Sequence, residues 1–128
     1  MKKAGWIVLS IFYILAGINH FRDPDFYLPL IPDYFPYHVF INYSSGIIEM
    51  ILGILVLFRN TRAIAAWGIV ILLILFIPSH IYFIQLDGCA GKLCVPGWVA
   101  WIRLLIIHPL LILWALHYTK CLTFLTKH

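Results

Sequence analysis

Residues 63–86 read AIAAWGIVILLILFIPSHIYFIQL, a run without a single Asp, Glu, Lys or Arg. An α-helix needs about 20 mostly apolar residues to cross the hydrocarbon core of a bilayer. Three other runs share this length and nearly this lack of charge: residues 4–21, residues 34–58 (with only Glu49) and residues 98–118 (with only Arg103). Each run is apolar on all sides, which is typical of a helix that contacts both lipid and other helices. The predicted fold class is an all-α membrane protein, a four-transmembrane-helix bundle.

The composition of the whole chain supports this prediction. Of its 128 residues, 63% are hydrophobic and only 11% are charged. A soluble domain usually has about 45–50% apolar and about 25% charged residues, so a soluble globule and a disordered chain are both excluded. The net charge of +4 comes from thinly spread basic residues, with no run longer than Lys2–Lys3. A nucleic-acid partner is therefore not expected.

The spans divide the chain into one predicted membrane domain, residues 1–128, without a soluble domain. The four spans are expected near residues 4–21, 40–58, 63–84 and 98–118. Lys2 and Lys3 before the first apolar run also resemble the start of a signal peptide that would be cleaved near Gly17. The length of the run favours a retained span.

The basic residues are distributed unequally between the two sides of the predicted bundle. One side carries six of the nine Lys and Arg residues and no acid: Lys2, Lys3, Arg59, Arg62, Lys120 and Lys127. The other side carries Asp23, Asp25, Asp33 and Asp87, together with Arg22 and Lys92. Basic residues accumulate on the cytoplasmic side of membrane proteins. We therefore predict that both termini are cytoplasmic and that the two longer loops face outward.

The first outer loop, between the first two spans, is rich in aromatic residues and prolines. Residues 21–43 contain eight aromatic side chains and prolines at positions 24, 29, 32 and 36. Prolines interrupt helices, and aromatic side chains with a polar edge favour the headgroup region of a bilayer. The loop is expected to lie along the outer interface as broken turns that cover the bundle. An aromatic belt without another role is the alternative.

Two charged side chains lie inside the predicted spans. An ionisable group at this depth is costly unless it is paired, so it is a functional candidate. Ser45, Gly46 and Gly53 share a helix face with Glu49, and small residues allow close approach of a neighbouring helix. We therefore expect Glu49 to point into the bundle and to form an ion pair with Arg103 from the fourth span.

Other polar side chains lie in the same outer half of the bundle. Together with Glu49 and Arg103 they define a predicted ligand-binding pocket that consists of Asn19, His20, Glu49, Ser79, His80, Arg103 and His108. Pro78 and Pro109 add freed backbone carbonyls near this pocket. The alternative is a structural network that fixes how the helices pack. No catalytic residue is assigned.

Cys89 and Cys94 lie in the second outer loop. In an oxidising compartment, a pair at this spacing favours a structural disulfide. A redox-active disulfide and a metal site shared with His80 are the alternatives. We predict no metal site, and we find no phosphate-binding loop, zinc-protease motif or nucleophile elbow.

Several short motifs follow one another along nearly the whole chain. They lie at residues 16–21 (AGINHF), 24–36 (with Pro24, Tyr27, Pro32 and Pro36), 45–49 (SGIIE) with Gly53, 61–68, 103–104, 114–115 and 118–119. Their order and spacing resemble the DoxX family of small four-helix membrane proteins. Residues 78–80 (PSH) replace that family's common Pro-Ala-Asn, and residues 103–108 (RLLIIH) replace Arg-Leu-Pro-x-Gln. A family site that uses those amides would therefore differ in this chain.

The resemblance implies a bacterial inner-membrane protein. Some DoxX relatives are membrane subunits of thiosulfate:quinone oxidoreductase, but the resemblance implies no cofactor, and a quinone is one possible occupant of the predicted pocket. The first hypothesis is a membrane component of a redox system. Such a protein would lie in the lipid bilayer and interact with a redox partner in the membrane or outside the cytoplasm. Its alternatives are a protein that binds or transports a small amphipathic ligand, and a non-catalytic scaffold subunit. Whether the chain is itself an enzyme is left open.

Overall fold

A computed structural model describes residues 4–119, and within them the backbone is mostly helical. Four helical segments are long and apolar enough to cross a membrane: Gly5–Arg22, His38–Leu57, Arg62–Gln85 and Gly97–Thr119. The prediction of a helical chain is confirmed, and each segment begins and ends within two residues of a predicted span. The basic residues Lys2, Lys3, Lys120 and Lys127 lie outside the described residues.

Helices α1 (Gly5–Arg22) and α3 (His38–Leu57) form the most extensive helix pair. A Cβ atom added at Gly17 would lie 2.5 Å from the carbonyl oxygen of Gly46. Further along the same interface, the Ser10 hydroxyl donates a hydrogen bond of 2.6 Å to the carbonyl of Gly53. Small residues thus bring the two backbones into contact, as expected for Gly46 and Gly53.

The loop between α1 and α3 consists of broken turns. Helix α2 (Pro24–Tyr27) runs into a single 3-10 turn, Leu28–Leu30, and irregular turns lead to α3. Pro24 occupies the first turn of α2, where its missing N–H costs nothing. Tyr37, directly before α3, adopts a left-handed conformation with φ 58°, which is rare for a bulky residue.

Prolines also divide the third and fourth segments. The third consists of α4 (Arg62–Leu75) and α5 (Ile77–Gln85), with Pro78 in the first turn of α5. The fourth consists of α6 (Gly97–Ile102), a π-helical stretch Arg103–Ile107, and α7 (His108–Thr119), which contains Pro109. Because proline has no N–H, it breaks the regular hydrogen-bond ladder, and the backbone adjusts next to it. Single π turns of this kind are frequent at functional sites.

A short hairpin joins α5 to α6. Strands β1 (Cys89–Ala90) and β2 (Leu93–Cys94) are antiparallel. The hairpin packs against the first loop, because Ala90 shares a buried apolar cluster with Leu30 of that loop and Phe83 of α5. Residues 23–37 and 86–96 therefore lie at one end of the bundle, which we call the loop end.

The opposite end, which we call the turn end, holds the connection between α3 and α4. There the side chain of Arg62 donates to the Val56 carbonyl at 2.9 Å and lies 4.1 Å from the ring of Trp6. Gly5 lies directly against the phenol of Tyr118. The start of α1 and the end of α7 therefore share the turn end. This half is packed by an apolar core: Leu9, Tyr13, Val56, Ala65, Ile69, Val70, Leu73 and Ala115.

Candidate functional site

A cavity of about 350 Å³ extends from the middle of the bundle to the loop end. Helices α1 and α3 form one wall, α4, α5 and the π-helical stretch form the other, and the first loop covers the end. Six of the seven predicted pocket residues line it: His20, Glu49, Ser79, His80, Arg103 and His108. Asn19 lies outside it, in a shallow groove on the surface of α1.

His20 is the centre of a buried polar network between α1 and α3. Its Nδ1 lies 2.8 Å from Oδ1 of Asn42, whose Nδ2 donates to the backbone carbonyl of His20 at 3.1 Å. On the other side of the ring, Nε2 lies 3.2 Å from Oε2 of Glu49. All three side chains are buried. The network gives each nitrogen of the buried His20 ring a polar neighbour.

The hydrogen bonds of Asn42 fix the proton on one side of the His20 ring. Because the amide nitrogen of Asn42 must donate to a carbonyl, its oxygen is the atom that faces Nδ1, and Nδ1 therefore carries a proton. Nε2 then faces the carboxyl group of Glu49. Two bare acceptors at this distance would repel, so one proton is shared between His20 and Glu49. The pair has no net charge in either arrangement of that proton.

The prediction of an ion pair between Glu49 and Arg103 is wrong. Among the described residues, Glu49 pairs with His20, while the guanidinium carbon of Arg103 lies 4.8 Å from the ring centre of Phe83. Gly46 explains why Glu49 pairs with His20, because it allows α1 to approach α3 so closely that a Cβ atom added at Gly46 would lie 2.7 Å from the Cβ of His20. Arg103 belongs to the opposite wall and turns toward α5.

His80 and His108 lie together on that opposite wall, with ring centres 4.5 Å apart. His108 is buried, and its Nε2 donates to the carbonyl of Leu73 at 2.5 Å. This bond connects α7 to α4 just before the break at Pro78. The backbone N–H of His80 donates to the carbonyl of Phe76 at 3.3 Å, but its side chain makes no hydrogen bond within residues 4–119. Of the two, His80 is therefore the one that is available to a ligand.

The remaining predicted residues hold the loop over the cavity. The amide of Asn19 donates to the phenol oxygen of Tyr27 at 2.7 Å, and the Tyr27 ring stacks on His20 with 3.8 Å between ring centres. Burial raises the pKa of Tyr27 above its usual value, so its phenol stays neutral. The Ser79 hydroxyl donates to the carbonyl of Leu30 at 2.7 Å. Asn19 and Ser79 thus have positioning roles.

Two buried polar atoms have neither a hydrogen-bond nor an ion-pair partner among residues 4–119: Oη of Tyr13 and Nη1 of Arg103. Oε2 of Glu49 has only Nε2 of His20, at 3.2 Å. Both Tyr13, from α1, and Arg103, from the π-helical stretch, line the cavity. Buried polar atoms are rarely left unpaired, and each one costs about 1–3 kcal/mol. Their convergence on one cavity is typical of a binding site.

The rim of the cavity is apolar. Four of its lining side chains are exposed on the outer surface of the bundle: Phe12, Phe35, Leu75 and Ile107. The polar atoms lie deeper, and the loop end is covered by Tyr27, Leu30 and Pro32. Access between the helices therefore passes hydrocarbon side chains.

Sequence reasoning missed Tyr13 and Asn42. A signal for Asn42 was present, because the buried face of α3 runs through Asn42, Gly46, Glu49, Gly53 and Val56 at spacings of four and three. A polar residue two turns before Glu49 therefore had to face the same neighbour. Tyr13 offered no such signal, since a tyrosine in an apolar run is most simply a core residue.

The two cysteines of the hairpin form a disulfide bond, and both are exposed at the loop end. The tip of the hairpin touches the first loop, where a Cβ atom added at Gly91 would lie 2.6 Å from Cγ of Pro29. Within residues 4–119, no group of three or more His, Cys, Asp or Glu side chains is arranged to hold a metal ion.

Comparison with known proteins corrects the family. No curated protein and no solved structure shows significant similarity to the chain. The predicted membership of the DoxX family is wrong, because residues 9–119 match a different family, described as a domain of unknown function (DUF8561). The motifs that suggested DoxX are short, and many of their positions are small residues and helix-end aromatics, which recur wherever membrane helices pack closely. The match spans most of the sequence, and the chain therefore belongs to the DUF8561 family.

Proposed function

We propose that this protein is a four-span membrane protein that binds a small amphipathic molecule in the cavity between its helix pairs. The observation that carries the proposal is that two buried polar atoms on residues lining the cavity, Oη of Tyr13 and Nη1 of Arg103, have no partner within residues 4–119. A scaffold role would favour a network in which these atoms satisfy one another. A bound polar head would instead provide their partners.

The outer surface of the bundle supports the membrane setting. In the four apolar segments, only 17–33% of the most hydrophobic window is buried inside the protein. Large apolar side chains such as Leu15, Ile64 and Leu110 are about 60% exposed. A soluble monomer rarely exposes so continuous an apolar surface, and lipid is the solvent that suits it.

The two ends of the bundle support the proposed orientation. The turn end carries Arg59 and Arg62, whereas the loop end carries Asp23, Asp25, Asp33 and Asp87. By the distribution of basic residues, the turn end and both termini face the cytoplasm. The cavity then opens in the outer half of a plasma membrane. The bacterial inner membrane was suggested by the DoxX resemblance, so it is not part of this proposal.

The shape of the cavity favours a ligand that arrives from the bilayer. Its volume of about 350 Å³ is at the lower end of the range for small-molecule sites, so a single chain or ring fits better than a two-chain lipid. The apolar rim and the covered loop end favour lateral entry between helices.

A quinone-linked redox role is the second candidate. The proton shared by His20 and Glu49 favours it, because reduction of a quinone requires protons at its oxygen atoms. Under this candidate the cavity holds the quinone, and an outer partner supplies or accepts electrons.

The experiment is to measure saturable binding of two probes, dodecanoate and decylubiquinone, to the protein in phosphatidylcholine nanodiscs. We expect one molecule of at least one probe per chain, above the binding to empty nanodiscs. Ala16 lines the cavity without a polar role, so Ala16→Phe is expected to abolish this binding by filling the space. The matched control is Ile11→Phe, on the outward face of α1, which keeps it. Saturable binding of neither probe would overturn the proposed function.

A further inference from the structure

The charges that face the cavity do not balance, and the imbalance bears on the ligand. Arg103 is the cation of the cavity wall. Among the described residues no carboxylate lies within ion-pair distance of its guanidinium, and Nη1 has no acceptor. The ring of Phe83 beneath it provides only a cation–π contact. Arginine does not lose its proton under ordinary conditions, so a full positive charge remains on this wall.

The other titratable groups facing the cavity provide no compensating negative charge. The shared proton makes the pair of His20 and Glu49 neutral overall. His108 donates to a backbone carbonyl, and His80, beside it, could only add positive charge. Tyr13 and Tyr27 are neutral phenols. Within residues 4–119, the positive charge of Arg103 on the cavity wall therefore has no counter-charge beside it, and an uncompensated charge inside a membrane is costly.

The unpaired donors also indicate what the compensating group looks like. Within residues 4–119, Nη1 of Arg103 and the hydroxyl of Tyr13 are both donors without a partner, on opposite walls of the same cavity. A carboxylate has two oxygen atoms that accept hydrogen bonds and one negative charge. It therefore matches the donors in kind and supplies the charge that Arg103 lacks beside it.

We infer that the ligand is a singly charged anionic amphipath, a monocarboxylate on an apolar chain or ring, whose head binds Arg103 and Tyr13. This inference rests on the proposed function and specifies the ligand class for the same cavity. The shared proton of His20 and Glu49 keeps the nearby carboxyl group from repelling the head. The apolar part of the ligand contacts the hydrocarbon rim.

The test compares probes that have the same chain and different heads. Dodecanoate, methyl dodecanoate, dodecylamine and dodecyl phosphate are each titrated against the protein in phosphatidylcholine nanodiscs, with empty nanodiscs as the blank. We expect dodecanoate to bind at least tenfold more tightly than the methyl ester and the amine. Equal binding of ester and carboxylate, or a preference for the amine, would overturn the anionic head while leaving the proposed function intact. Tighter binding of the phosphate would overturn the carboxylate class.

Variants locate the charge that the head recognises. Arg103→Gln is expected to weaken dodecanoate binding at least tenfold and to leave the methyl ester unchanged, whereas Arg103→Lys keeps most of the preference. The matched control, Arg59→Gln, removes an exposed arginine at the turn end and should have no effect. An unchanged preference in Arg103→Gln would overturn the inference. If that variant does not fold, the comparison of heads on the natural protein still decides.

Discussion

Glu49 takes His20 as its partner, and this has consequences for stability as well as for binding. Both side chains are at most 8% exposed, so neither is compensated by water. Asn42 orients the imidazole, and Tyr27 covers one of its faces. A buried pair of this kind is weak support for stability by itself, but removal of one partner leaves the other uncompensated.

The first prediction concerns this pair. His20→Ala leaves the carboxyl group of Glu49 buried without a counter-charge, and the free energy of unfolding should fall by about 3–5 kcal/mol. Denaturant unfolding in detergent micelles, followed by circular dichroism, measures the change. His117→Ala removes an exposed histidine from α7, and it should change the free energy by less than about 0.5 kcal/mol.

A double variant separates the pair from simple loss of packing. His20→Ala combined with Glu49→Gln has no buried carboxylate, so it should be more stable than the sum of the single effects predicts, by about 0.5–3 kcal/mol. Strictly additive effects would show that the two side chains do not interact.

Individual residues also show where sequence reasoning ends. The importance of Glu49 and Arg103 could be predicted, because an ionisable side chain in an apolar run is conspicuous whatever the fold. Their partners could not, since partnership depends on how each helix is rotated about its axis. That rotation is set by contacts such as Gly46 against His20, which a single sequence does not reveal. The cavity itself exists only between helices.

At the scale of elements, α1 and α3 act as one packed unit. A methyl group added at Gly17 would meet the backbone of Gly46, which cannot move aside as a flexible side chain could. We expect Gly17→Ala to lower the free energy of unfolding by about 1–3 kcal/mol. It should also disturb His20, which lies on the same face of α1. The same unfolding titration measures the stability.

Gly97→Ala provides the matched control for this helix pair. An added Cβ at Gly97 has nothing within 4 Å, so this variant should be neutral or slightly stabilising. Equal effects of the two substitutions would contradict close packing between α1 and α3.

The hairpin is the element that holds the first loop in place. Ala90 packs beside Leu30, and Gly91 abuts Pro29, whereas the ion pair of Lys92 with Asp23 is exposed. Exposed ion pairs contribute little, so the disulfide is expected to be the main constraint on the hairpin. In the chain-entropy model, a disulfide that closes so short a loop raises the free energy of unfolding by about 2 kcal/mol.

We therefore predict that Cys89→Ser combined with Cys94→Ser loosens the loop end and leaves the turn end unchanged. Cleavage by a protease added to the outer side should become faster in residues 23–37, and mass spectrometry locates the cut. Lys92→Ala, which removes only the ion pair, should leave the cleavage rate nearly unchanged. Faster cleavage at the turn of residues 58–61 would contradict the assignment of that turn to the other side.

At the scale of the whole molecule, helix positions could be predicted closely because apolar runs and charges mark them directly. The breaks at Pro78 and Pro109 were expected as well, since proline interrupts a helix wherever it occurs. The family could not be predicted from short motifs, because helix packing selects similar small residues in unrelated chains. The pairing of the helices could not be predicted either, since every span presents apolar faces on all sides.

The structure brings three parts of the chain together at the turn end. Arg62 lies over Trp6, and Gly5 lies against Tyr118, so the start of the first segment, the turn of residues 58–61 and the end of the fourth segment share one end. We predict that this end is cytoplasmic. Cys121 is the third cysteine of the chain. In a variant in which all three cysteines are replaced by Ser, a cysteine introduced by Asn60→Cys should not react with an impermeant maleimide added to intact cells, and it should react after permeabilisation. In a second variant with only Cys121→Ser, the hairpin cysteines, once reduced, should react in intact cells. Labelling of Asn60→Cys from outside would reverse the topology and would place the cavity in the inner half of the membrane.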